Sequence, residues 1–199
     1  MAQEAKAPQA AVGFRVKSGW AAAVLLVGPT GSPRMIDRRV IQLSDPAVPD
    51  SKQPYHAVLE MTEEEGAKTE KHLRKVVEQF TSRSVSQLLE EHSGSGHVLR
   101  VAGIVVGSDI DPATIKNPHI RAHALEGRLF RTAIEAAVRS CGLRCLVFVE
   151  RTAFSKGAAL LKRSEEELKR VIAQLGRSGT GPWRADEKSA ALAAWMALL

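Results

Sequence analysis

Apolar and polar or small residues alternate through Val12-Gly13-Phe14-Arg15-Val16, the two-residue period of a strand, and Lys17-Ser18-Gly19 reads as the turn that ends it. Trp20 to Val27 is a continuous apolar run of strand length. Its three alanines lower the β propensity and Val24-Leu25-Leu26-Val27 restores it. Gly28-Pro29-Thr30-Gly31-Ser32-Pro33 is a turn, and Met35 to Leu43 reads as a third strand. Three strands joined by short turns predict an antiparallel meander. Ser44 to Pro54 carries three prolines and reads as a loop. Helical spacing then runs from Met61 to His92, with Leu73, Val76, Val77, Phe80, Leu88 and Leu89 on one stripe and Thr62 and Glu65 as a capping box. Val98 to Val106 predicts a fourth strand whose apolar continuity implies burial on both faces.

Beyond a polar loop, Asn117-Pro118 predicts a helix start, and Gly142 the stop of a helix running to Ser140. Leu143 to Val149 predicts a fifth strand. One amphipathic helix is expected over Phe154 to Leu175 and a last, alanine-rich helix over Asp186 to Leu199. The order is β-β-β-α-β-α-β-α-α. Helical crossovers imply that strands four and five run parallel to strand one. Residues 1–10, rich in Ala, Gln and Pro, are expected to form a disordered tail and residues 11–199 a single domain.

Composition changes this picture in three places. With 199 residues, 44% of them apolar, the chain can bury a core without metal or disulfide staples. No apolar run approaches the ~20 residues of a membrane-spanning helix, and no secretory signal pattern opens the chain, so a cytoplasmic protein without a membrane partner is expected. Lys and Arg number 28 against 22 Asp and Glu, a formal charge of +6, which favours polyanionic partners and nucleic acid in particular; simple solubility is the competing reading. Aromatics at 5% argue against a base-stacking platform. Cys141 and Cys145 have neither the thioredoxin spacing nor enough thiols for a closed zinc site, and are expected to be reduced and largely buried. Gly28 to Ser32 lacks the Gly-Lys-Ser/Thr ending of a phosphate loop, and no Gly-x-Ser-x-Gly elbow occurs.

The element order, a five-stranded mixed sheet with helices on both faces, resembles the ribonuclease H-like superfamily, particularly its resolvase and nuclease branch. Two local patterns add to the resemblance. Gly13-Phe14-Arg15-Val16-Lys17-Ser18-Gly19 is similar to that family's first strand, with Arg15 where a Mg²⁺-binding Asp belongs. Asp186-Glu187-Lys188-Ser189-Ala190-Ala191-Leu192-Ala193-Ala194 is similar to its acidic, alanine-rich last helix. The resemblance implies metal-assisted phosphodiester cleavage, with catalytic carboxylates from Asp109, Asp111, Asp186 and Glu187. Asp109 and Asp186 would hold Mg²⁺, and Glu126 or His123 would assist. It equally admits an inactive scaffold in which Arg15 has replaced the ligand. Such a scaffold would act through a homodimer or protein partner docked on Ala190 to Leu199, or through ribosome or RNA contact. The competing reading of that last helix is packing on the protein's own sheet.

Two basic constellations remain. His119, His123 and Glu126 share one helix face, flanked by Arg121, Arg128 and Arg131. Phosphate or nucleic-acid binding, transition-metal binding and a plain solvated face compete there. Arg34, Arg38 and Arg39 on the third strand, with Arg15 and Lys17 on the first, would make one phosphate-contacting patch if those strands were neighbours. Protection of an edge strand is the alternative.

Overall fold

The computed structural model describes residues 8–94, 96–178 and 183–199. Its centre is one five-stranded sheet of order β3-β2-β1-β4-β5, built from β1 (Gln9–Lys17), β2 (Trp20–Val27), β3 (Arg34–Gln42), β4 (Val98–Val106) and β5 (Arg144–Val149). The first three strands form the expected antiparallel meander, and β4 and β5 add in parallel beyond β1. The first strand starts earlier than its alternation suggests. Gln9 and Ala10 pair with Val98 and Leu99, so these two residues of the expected tail are strand; residues 1–7 lie outside the described residues.

Helix α1 (Glu63–Glu91) and α2 (Pro118–Ser140) cover one face of the sheet. Both begin where the caps predict: the Thr62 hydroxyl accepts from the Glu65 N–H, and the Asn117 side chain accepts from the Ile120 N–H. The opposite face carries α3 (Glu150–Leu161), α4 (Glu165–Leu175) and α5 (Ala185–Ala197). The single helix expected over Phe154 to Leu175 is therefore two. Lys162 turns into the left-handed region at φ 54°, and the Ser164 hydroxyl accepts from the Glu167 N–H at 3.1 Å to start α4. The Ser164 to Glu167 spacing is a helix-start signature inside an unbroken apolar stripe, and the stripe masked it. Ser164→Ala is expected to cost about 1 kcal/mol, read as a lowered urea midpoint with unchanged slope.

Helix α5 decides how close the layers lie. Gly13 of β1 and Gly103 of β4 are register partners, which leaves a bare patch at the sheet centre. The backbone of α5 fills it: a Cβ on Gly13 would sit 1.9 Å from the Ala190 carbonyl oxygen, and one on Gly103 would sit 2.3 Å from that of Ala193. Every residue from Ala190 to Leu198 is buried. The Trp195 indole N–H, inside this layer, donates to the Thr30 carbonyl at 2.8 Å. The reading of Ala190 to Leu199 as an interface helix is corrected here, because its small side chains serve close packing on the chain's own sheet. Among the described residues no helix is long and apolar enough to cross a membrane.

Candidate functional site

The carboxyl ends of β1 and β4 open into a cleft of about 640 Å³, roofed by α2. Arg15, Lys17, Asp109, Asp111, His123, Arg128, Arg131 and Glu135 contribute its charged and polar walls. This is the rim where parallel sheets present ligand-binding groups.

Arg15 forms the floor and is only 3% exposed. Its Nε donates to Glu150 Oε1 at 3.1 Å and its Nη2 to Glu150 Oε2 at 2.5 Å, a bidentate fork; Nη1 donates to the Val16 carbonyl at 2.7 Å. Asp186, at the start of α5, lies 3.8 Å from Arg15 and 3.2 Å from Lys17. Two cations and two carboxylates thus neutralise one another at the junction of β1, β5 and α5. Glu150 escaped the sequence reading, although an acidic residue directly after an apolar parallel strand is the signal that could have found it.

The other expected carboxylates are elsewhere. Asp109 pairs with Arg131, which also holds Glu135 at 2.8 Å. The Glu135 hydrogen bond chiefly raises the Arg131 pKa, so its charge is fixed. Asp111 caps the short turn at Pro112 by accepting from the Ala113 N–H, and its second neighbour is Arg128 at 4.0 Å. Glu187 accepts from the Arg184 N–H and caps α5. Glu126 is fully buried and faces His56. Among the described residues these acids form no group of three with ligand oxygens within 4.8 Å of one another. The structure therefore does not bring Asp109, Asp111, Glu126, Asp186 and Glu187 together as one such group among the described residues, and Asp109 and Asp186 pair with different cations.

The basic patch also divides. Strand β2 separates β1 from β3, so Arg15 and Lys17 are not beside Arg38 and Arg39. Successive residues of β3 face opposite sides: the Arg38 guanidinium lies 5.3 Å from the Trp183 ring centroid, whereas Arg39 pairs with Asp37 and Glu91 beside α1. β3 is an edge strand, so charge protection is the reading its position supports. Arg121 braces the loop before α2, donating through Nε to the Ile115 carbonyl at 2.8 Å. His123, which lines the cleft, lies with His56 and His119, and the three ring centroids are 4.3 to 4.7 Å apart. The thiols are free, and burial pushes the Cys145 thiol up to about 11, so it stays protonated at neutral pH.

No protein-family model matches the chain, and no curated protein matches it. Solved structures do. Thermus thermophilus RuvC in complex with a Holliday junction substrate aligns with a TM-score of 0.57 at 10% identity, over 94% of this chain and 91% of that one. A second Thermus thermophilus RuvC structure aligns with a TM-score of 0.55 at 9% identity, over 94% and 92%. The fold is ribonuclease H-like.

The resemblance of the first strand implies a Mg²⁺ ligand at the position where Arg15 stands. The residues here do not fit that ion. A buried guanidinium at the position repels a dication, and the two nearest carboxylates already balance Arg15 and Lys17.

Proposed function

We propose that this is a nucleic-acid-binding ribonuclease H-like protein whose cleft engages the phosphate backbone through cations, without Mg²⁺-dependent cleavage at the first-strand position. The observation that carries the second half is Arg15, buried and forked onto Glu150 with Asp186 behind it. The floor thus offers a dication a balanced ion pair in place of free carboxylates.

Three observations support binding. The chain carries a net +6. Lys17, Arg128 and Arg131 line the cleft, and the aspartates that pair with the two arginines are well exposed, Asp109 by 65% and Asp111 by 61%. Exposed ion pairs are worth only about 0–1 kcal/mol, so a phosphate can displace Asp111 from Arg128, and Asp109 from an Arg131 that Glu135 still holds, at little cost. A solved protein of this fold, RuvC, holds a Holliday junction substrate.

Anisotropy titrations of a labelled four-way junction, a DNA duplex and an RNA–DNA hybrid test this reading. Three phosphate contacts predict a slope of log K against log salt near about −2.7, and Arg128→Gln is expected to reduce it by about 1. Incubation with Mg²⁺ or Mn²⁺ is expected to leave all three substrates intact. Absence of salt-sensitive binding removes the nucleic-acid reading. Divalent-dependent cleavage that Asp186→Asn abolishes restores the catalytic one.

A further inference from the structure

Three of the chain's six histidines meet where the segment after β3 folds against the first turns of α2. One nitrogen from each of His56, His119 and His123 lies within 4.8 Å of the others. Behind them stands Glu126, fully buried, with Oε1 2.7 Å from His56 Nδ1 and 3.3 Å from the His56 backbone nitrogen. We propose that His56, His119 and His123 bind a divalent transition-metal ion of the zinc class, and that Glu126 orients His56 for it.

The tautomer of His56 is the first argument. Glu126 fixes a proton on Nδ1, which leaves the Nε2 lone pair as the outward donor. That Nε2 is buried and has no hydrogen-bond partner. A histidine whose far nitrogen is anchored by a carboxylate while its near nitrogen has no other partner has the arrangement found behind metal-ligating imidazoles. The second argument is charge. Glu126 Oε2 is also buried without a hydrogen bond, and lies 3.9 Å from His123 Nδ1. A buried carboxylate needs a compensating cation. A dication bound at Nε2 gives that atom a partner and sets positive charge one imidazole away from Glu126.

The donor set selects the ion. Three imidazoles suit zinc, copper, nickel or iron, whereas Mg²⁺ and Ca²⁺ prefer oxygen. Metal–nitrogen bonds of about 2.0–2.1 Å require the nitrogens to close to roughly 3.4 Å. His119 and His123 are exposed, His123 by 54%, so their side chains have room to turn inward. Three protein ligands leave a fourth position open to water or an anion. His123 also lines the cleft, so the cluster adjoins it. The site stands on its own residues, whether or not the cleft binds nucleic acid.

The test uses the full-length, tag-free protein stripped with EDTA. Titration with Zn²⁺ by calorimetry is expected to give one equivalent per chain, and Co²⁺ a visible absorption spectrum of tetrahedral type that Zn²⁺ abolishes. The double variant His119→Ala, His123→Ala changes only exposed side chains, and should fold and lose at least about 100-fold in Zn²⁺ affinity. Glu126→Gln should lose about 10–100-fold where its circular dichroism remains native. The proposal is overturned if the native protein takes up no stoichiometric Zn²⁺, or if the double variant binds it unchanged. Metal-independent binding of inorganic phosphate that the double variant abolishes would likewise replace the metal site by an anion site.

Discussion

Gly13→Ala is expected to destabilise the protein by at least about 3 kcal/mol, at or beyond the upper end of ordinary overpacking. The added methyl would lie 1.9 Å from the Ala190 carbonyl oxygen and 2.4 Å from the Ala194 nitrogen. Both are backbone atoms of a buried helix, so no rotamer change relieves the contact. α5 must lift off β1, and the Trp195 bond to Thr30 goes with it. For a chain of this size the loss corresponds to roughly 6–12 °C in Tm, read by thermal melting. Gly103→Ala should behave alike, since its methyl would meet Ala193 backbone atoms at 2.3 and 2.6 Å. Gly127→Ala on α2 is the control: a methyl there meets nothing within 4 Å, and helix propensity makes it neutral or stabilising by up to about 1 kcal/mol. A Gly13→Ala protein melting with the native chain would mean that α5 does not rest on β1.

Arg15→Asp is expected to have a comparable effect with a distinguishing signature. It removes a bidentate, buried guanidinium and sets a third carboxylate beside Glu150 and Asp186. Breaking such a pair costs about 3–5 kcal/mol, and solvent reaching Glu150, 42% exposed, moves the figure towards the lower end. The new acid recreates the oxygen-rich position that Mg²⁺ or Mn²⁺ favours. Divalent ions should therefore raise the melting temperature of the variant, by an amount equivalent to about 2.7 kcal/mol at 100 times Kd, and leave the native protein unmoved. Arg15→Met, which removes the charge without adding an acid, should show no divalent rescue. Equal stabilisation of native protein and Arg15→Asp by Mg²⁺ would show that the ion binds elsewhere, and the proposal that Arg15 stands in for a metal would fail.

The two variants test different kinds of information in the chain. Strand and helix identity was legible because it is written in local periodicity: Trp20–Val27, Val98–Val106 and Pro118–Ser140 have the bounds that alternation, apolar continuity and the Asn117-Pro118 cap predict. The misreadings have two causes, an overlap of local signals and a pairing that no local signal carries. The apolar stripe through Phe154 to Leu175 concealed the Ser164 cap, and pairing with β4 and β2 drew Gln9 and Ala10 into a strand that their side chains do not demand.

Site residues were legible only as types. Spacing put His119, His123 and Glu126 on one helical face, but His56 belongs to a proline-rich segment with no periodicity of its own. Its position depends on tertiary pins, among them the Asp45 N–H donating to the buried Ser51 hydroxyl and the Thr81 hydroxyl donating to the Leu43 carbonyl. Glu150 was unremarkable until the parallel register of β4 and β5 carried it to the end of β1.

What the sequence determined alone was the order of the elements through β5, the direction of the strands and the basic charge, because each rests on neighbours in the chain or on handed crossovers. What the tertiary structure decided was which charges meet. Arg15 with Glu150 and Asp186, Asp109 with Arg131, and Glu126 with His56 are pairs between separate elements. Electrostatic energy depends on distance in space and on burial, and neither is encoded in the spacing of residues along a strand or helix.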